Sequence, residues 1–474
     1  MIDAKTDSHL WAESYTRTLD NIFGVEGDVA SKVADALKTT LTPKETRAVA
    51  SAPTTNPEAY TLFLKAKYQI DQFYQGNAQP ELAEKAIAYL QHAIQHDPQF
   101  ALAYALQAKM QIGLVINQMR DTLKLRDGAW TNVHKALSLE PDLAEAHKVL
   151  GVVLMSRGEV AQGQAQLQIA QRLAPNDSRI PELLAENASF QGNWTQAAVE
   201  IAQALRLDPR NTHHYQWASR IDMALRRYGA AIRTAQQGVA INPQDTSTRL
   251  QLASALMSSG QLQAAGEQFM VVANQIPIGK LSLGVYYLFI RDYAAALKVA
   301  QAMPADTRMA YSYVGIRELV LAQAHLGLGQ QAQGQALLDQ AHDLVTAALR
   351  AHPNSDSLYG TLATIEMWRG NRDAALQAVD KAYALVSSAT SSAFAYPSDY
   401  VENKATILAH FGDAPDATAL LNKLMETPGT GETISPALLR LDPAWDPIRK
   451  DPRFQALLNK YSNATPAPEA GSGG

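Results

Sequence analysis

Pro141, Pro175, Pro209, Pro243 and Pro277 follow one another at intervals of 34 residues, and each closes a similar phrase: SLEP, RLAP, RLDP, AINP, NQIP. An interval of this size marks an array of small units. No such unit can bury its apolar face alone, so neighbours must stack. Three further columns keep step. Ten residues after the first four prolines stand Gly151, Ala185, Ser219 and Ala253, all small. Seventeen residues after them stand Gly158, Gly192, Arg226 and Gly260, in a turn where glycine can take positive φ and stop a helix. Twenty-two residues after them stand Gly163, Ala197, Ala231 and Ala265. Small side chains at fixed depths let two helices approach to the short end of the usual ~8–10 Å. Proline then ends each unit, because it cannot continue a helix.

The interval, the small columns and the closing proline resemble the tetratricopeptide repeat. The expected fold is therefore all-α: a tetratricopeptide-type α-solenoid, a right-handed superhelix of antiparallel helix pairs, with a short α/β remnant at the amino terminus. The pattern extends outward with insertions. Pro98 and Pro57 open earlier units, with surplus residues in NQMRDTLKLRDG and YQGNAQPE. Pro353 opens a later one, with Ala363, Gly370, Ala375 and Ala382 at matching offsets. Between Pro277 and Pro353 one shortened and one lengthened pair are expected. Residues 57–440 thus read as an array of roughly ten pairs, preceded by a linker at 47–56.

Both ends carry a second resemblance. Residues 1–46 read as a strand end, a loop and an amphipathic helix. Ile2, Asp3, Ala4, His9, Leu10, Trp11, Tyr15, Leu19, Ile22 and Phe23 are similar to the last strand and helix of the TolB-like domain of bacterial signalling proteins. Glu26-Gly27-Asp28 departs from that family's phrase. Leu441, Asp442, Pro443, Trp445, Pro447, Asp451, Pro452, Phe454 and Leu457 match the family's closing phrase. Residues 441–461 are then expected to cap the array, with Phe454, Leu457 and Leu458 laid on the last repeat, and 462–474 to be a disordered tail. The resemblance implies the sensory or scaffolding half of a protein whose output module is a winged-helix regulator, a Ser/Thr kinase or a nucleotide cyclase. It leaves the localisation unknown between the cytoplasmic and periplasmic faces of the inner membrane.

Composition narrows the function. The chain has 41 Lys+Arg against 46 Asp+Glu, a net charge of −5, and no basic cluster of the kind a phosphate backbone requires. It has no cysteine, which removes disulfides, zinc-thiolate sites and thiol nucleophiles. No apolar run reaches the ~18–20 residues of a membrane span. No HExxH, GxSxG or P-loop occurs. His92 and His96 share a helix face, but a helix carboxyl terminus explains them without a metal. His213 and His214 are adjacent and expected to point to different faces. Gly327-Leu328-Gly329 follows no strand and reads as a helix-hairpin turn. No enzymatic activity, metal or cofactor is expected.

In the resembling fold, the concave wall comes mainly from the first helix of each pair. Counting from each proline, its positions fall on Lys148, Met155, Arg179, Glu182, Glu186, His213, Gln216, Arg220 and Met257. This mixture suits a protein or peptide partner in the groove. A small-molecule or short-peptide sensor controlling an upstream effector is the alternative, and an accessory segment positioning an enzyme's substrate is a third. The carboxylate clamp of chaperone-binding members would use Lys148, but Val152 stands where the clamp needs asparagine.

Overall fold

In the computed structural model, residues 2–3, 8–9, 32–33, 53–74, 79–117, 119, 123–303, 313–387, 396–431 and 433–462 are described. Helices start where short polar side chains can take up the free N–H groups of a first turn. Asn193 accepts from the N–H of Gln196, Asn211 from His213, Asp292 from Ala295 and Ser355 from Leu358. They stop at residues of positive φ or just before the repeat proline: Ala174, Asp208 and Asn242 are the C-caps preceding Pro175, Pro209 and Pro243.

The chain divides into two units, residues 1–111 with 128–149, and residues 112–127 with 150–474. In the first, strands β1 (Ile2–Asp3) and β2 (Ser8–His9) pair antiparallel, with Ile2 opposite His9. Apart from these and residues 32–33, the expected TolB-like remnant lies outside the described residues. Helices α1 (Pro57–Tyr74) and α2 (Pro80–His96) pack together. The boundary between units falls inside α3 (Ala101–Ile116), α4 (Leu123–Leu139) and α5 (Ala144–Ser156). Within the first unit, α3 and α4 are joined by Asn132 Nδ2 donating to Gln111 Oε1 at 2.9 Å.

The second unit continues through α6 (Val160–Leu173) and seven helix pairs. These are α7/α8 (Arg179–Phe190, Trp194–Leu207), α9/α10 (Thr212–Ala224, Tyr228–Ile241) and α11/α12 (Thr246–Ser258, Leu262–Ala273). Next come α13/α14 (Pro277–Phe289, Tyr293–Gln301) and α15/α16 (Ile316–Gly327, Gln331–Ala351). The last are α17/α18 (Asp356–Trp368, Arg372–Val386) and α19/α20 (Pro397–His410, Ala414–Glu426). The second helix of each pair also packs on the first helix of the next, which makes the fold a tetratricopeptide-type α-solenoid. Its irregular stretch holds the shortened pair, where α14 has 9 residues, and the lengthened one, where α16 has 21.

The small columns are where paired helices touch. Ala185, Ala197, Ala231, Ala253 and Ala265 are fully buried. Ser219, also buried, donates across its pair to the carbonyl of Ala231 at 2.9 Å. In the α5/α6 pair both columns hold glycine. A β-carbon on Gly163 would lie 2.8 Å from the carbonyl oxygen of Gly151, so these backbones approach closer than any side chain permits.

After α20 come α21 (Pro436–Leu441), a 3-10 turn (Pro443–Ile448) and α22 (Pro452–Ser462). Trp445, Ile448, Phe454 and Leu457 form one buried cluster with Leu421 and Leu424 of α20.

Candidate functional site

Three successive first helices, α15, α17 and α19, face a hollow of about 650 Å³. Ile316 and Leu319 of α15 supply its apolar side, with Tyr313 just ahead of them. On α17, Ser357, Gly360, Thr361 and Thr364 share one face at helical spacing. On α19, Asp399, Glu402, Asn403 and Thr406 do the same, beside Tyr400. Asp442 and Ala444, from the stretch after α21, close one wall.

Gly360 allows the close approach of α17 and α19. A β-carbon there would come within 2.8 Å of Tyr400 Cε1. The Tyr400 hydroxyl donates to Asp356 Oδ2 at 2.7 Å, and Asn403 Nδ2 donates to the Gly360 carbonyl at 3.3 Å. Burial, reinforced by the Asp356 carboxylate, raises the pKa of the Tyr400 phenol. These bonds stiffen the floor before any guest arrives.

The hollow is acidic, and its carboxyls crowd one another. Burial pushes Glu402 up to about 8, and the charges of Asp442 and Asp399 add to the push. Burial pushes Asp442 up to about 6, against the opposing pull of the Ala444 N–H and Arg449. Asp399 remains open to water at the rim, yet the enclosing protein raises it too. The Thr433 hydroxyl, donating at 2.8 Å, and the charge of Arg220 limit that rise. A cation entering the hollow would relieve the repulsion and draw the proton from Glu402.

The positions chosen from the repeat count fall elsewhere. Arg179, Glu182, Glu186 and His213 do come together, on α7 and α9. Arg179 Nη1 donates to Glu186 Oε1 at 2.9 Å and also pairs with Glu182. His213 Nδ1 lies 2.7 Å from Glu182 Oε1, and His214 Nδ1 contacts Glu182 Oε2. This corrects the expectation that the two histidines diverge. At the start of α9 both flank the single carboxylate that α7 extends between them.

Glu182 is fully buried and Met155 is sealed in a cluster with Leu167 and Ile180, so neither offers a surface to a guest. Glu182 is covered by Arg179, His213 and His214, and Met155 by its apolar neighbours. Lys148 is buried with its ammonium 2.6 Å from Glu145 Oε2. Gln216 is half-buried, and Met257 packs partly buried against the cluster of Leu252 and Leu256. Arg220 is held between the rings of Trp217 and Tyr396, at 5.3 and 5.0 Å.

The remaining sequence candidates resolve as follows. His92 bonds to Gln95, while His96 pairs with Glu58 at 3.0 Å, so their rings serve different partners. Gly329, with φ of 76°, lies in the turn between α15 and α16. Among the described residues no three His, Asp or Glu side chains group as a metal site, and no helix is long and apolar enough to cross a membrane.

The hollow was missed because the groove positions come from the four regular repeats alone; the same count from Pro353 falls on Ser357, Gly360 and Thr364. The polar stripe Asp399, Glu402, Asn403, Thr406 was the signal that could have found it.

No family model matches the chain. It is 35% identical over 118 residues to a protein of Rhizobium meliloti (strain 1021) described as "Putative adenylate cyclase 3", covering 25% of this chain and 19% of that protein. It is 26% identical over 205 residues to the human mitochondrial import receptor subunit TOM70, covering 42% of this chain and 32% of the receptor. The chain thus spans a third or less of either relative's length. Among solved structures, it is similar to a thermophilic TPR protein of Thermus thermophilus, at 18% identity, 42% and 99% coverage, and a TM-score of 0.36. The human IFIT1 dimer with PPP-AAAA aligns at 14% identity, 78% and 93% coverage, and a TM-score of 0.43.

Proposed function

We propose that the chain is a non-catalytic protein- or peptide-binding array of a signalling protein, and that the hollow of α15, α17 and α19 takes a basic side chain of the partner. The observation that carries this reading is the pre-built acidic hollow itself. Three consecutive first helices line it, hydrogen bonds brace its floor, and burial holds Glu402 near 8. An extended peptide running along the first helices would meet one helix per repeat, with the cation as its anchor. The 118-residue match to a protein described as a cyclase supports an array working beside an output module.

The test is fluorescence anisotropy with two labelled extended peptides that differ only in carrying Lys or Glu at alternate positions. The Lys peptide is expected to bind, and a Glu402→Gln/Asp399→Asn variant to weaken it by about tenfold or more, roughly the worth of a charge-assisted bond. Equal binding of both peptides, or no response to the variant, overturns the reading.

The volume supports a second reading, a sensor for a small cationic molecule, since small-ligand clefts run from roughly 300 to 1,000 Å³. Thermal stabilisation by a free polyamine, with neither peptide retained, would select it.

A further inference from the structure

We infer that the stretches Thr427–Gly431 and Thr433–Asp446 form a detachable strap, keyed by Arg226 and Arg291, that closes over the turns of four consecutive helix pairs. The first clue is backbone conformation. The turn inside a pair needs one residue of positive φ, and Gly192 and Gly260 supply it at 74° and 86°. The equivalent turns of the α9/α10 and α13/α14 pairs hold Arg226 at 58° and Arg291 at 63°. Among the described residues these are the only non-glycines of positive φ. Left-handed geometry disfavours any side chain with a β-carbon, so the turn alone gives no reason for arginine.

Both guanidiniums reach the same distant stretch of chain. Arg226 Nη2 donates to the Leu424 carbonyl at 3.0 Å and to Thr430 Oγ1 at 2.9 Å. Arg291 Nη2 pairs with Asp446 Oδ2. Between these two points the contacts advance turn by turn. Gly429 lies against the Trp194 indole at the start of α8, so close that a β-carbon would overlap Nε1. The Gly431 N–H donates to the Ala224 carbonyl at 3.1 Å, and the Tyr228 hydroxyl donates to the Gly431 carbonyl at 2.9 Å, at the α9/α10 turn. Ala437 and Leu441 sit over Gly260 of the α11/α12 turn, and Asp446 over Arg291 of the α13/α14 turn.

The strap's apolar anchors lie on its other side. Ile434, Leu439 and Trp445 are buried in the cluster built by α19, α20 and α22. Its hold on the four turns consists of hydrogen bonds, glycine and alanine contacts and one half-exposed ion pair, supplemented by Tyr396 stacked on Phe190 and Trp194. These anchors stay in that cluster, so on release of the four turns the strap and its cluster would swing away from them as one body. Asp442 and Ala444 belong to the strap and wall the hollow. On the concave-wall reading, which this consequence alone rests on, a guest touching Asp442 favours the closed strap, and closing the strap favours the guest equally.

Hydrogen–deuterium exchange of the full chain, without any guest, tests the strap independently of what the hollow binds. In an Arg226→Gly/Arg291→Gly variant the turns keep the residue that neighbouring repeats use, so a purely local role predicts unchanged or slower exchange. A strap predicts at least tenfold faster exchange in peptides covering 427–446 and in the α7/α8, α9/α10 and α13/α14 turns, with α15 to α18 unaffected. Gly429→Ala, which touches neither arginine but collides with Trp194, is expected to open the same segments. Unchanged exchange in either variant, or acceleration spread evenly over the unit, overturns the inference.

Discussion

Glu402 couples the hollow to pH, and Glu402→Gln is the variant that exposes the coupling. The folded chain keeps the Glu402 proton up to about pH 8, whereas an unfolded chain releases it near the ordinary 4.5. Between those values the unfolded state binds fewer protons, so raising the pH favours unfolding. At about 1.4 kcal/mol per tenfold change in proton affinity, the full interval sets a ceiling of about 5 kcal/mol. The side chain is only half-buried, so water screening reduces the expected effect to about 1–3 kcal/mol. Glutamine preserves the shape and carries no charge. Its stability relative to the parent should therefore rise from pH 5 to pH 8.5 by that amount. Arrays unfold in stages, so the readout is native-state exchange of the α19 amides rather than a single melting point. Parallel pH profiles for parent and variant would refute the reasoning, because they would mean that Glu402 titrates as a solvated carboxylate.

Glu182→Ala should destabilise α7 and α9 by about 1–3 kcal/mol, measured by native-state exchange of their amides, because it leaves the buried His214 ring without its carboxylate partner, while Arg179 keeps Glu186. Burial, then His213 and Arg179, push His214 down to about 4. Its contribution is present above the ordinary 6.5 and is lost as pH falls through 4, so His214→Gln should flatten the acid limb of a stability profile by about 1–2 kcal/mol. Gly163→Ala should lower the denaturant midpoint by the equivalent of about 1–3 kcal/mol, since the added methyl meets the Gly151 carbonyl and forces α5 from α6. A gain equal to the ordinary helix preference of alanine would contradict that close approach.

Much of the fold was legible in the residues. Small side chains at two offsets from a recurring proline, with a turn position between them, specify close helix pairing, and Ala197, Ala231 and Ala265 are fully buried where that pairing requires. Those are local relations, repeated every 34 residues, so the chain text contains them whole. The site was less legible. Position within the repeat selected Arg179, Glu182, Glu186 and His213 as groove residues, and the structure brings them together as partners of one another. It could not say that Glu182 would be swallowed by its own partners, or that Met155 would belong to the core. The acidic stripe on α19 was present in the sequence. Its enclosure depends on Gly360 letting α17 close in and on Asp442 arriving from a later segment.

Arg226 shows the division most plainly. Its departure from the glycine column was visible at once, while its purpose was not. The reason is a partner about 200 residues away: Leu424 and Thr430 come to Arg226 only after the second unit's helix pairs have stacked. Repeat spacing is set by contacts between neighbours and can be read along the chain. Closure over four turns is set by the summed rotation of many pairs, including the irregular α13 to α16, and no local stretch of sequence carries that sum.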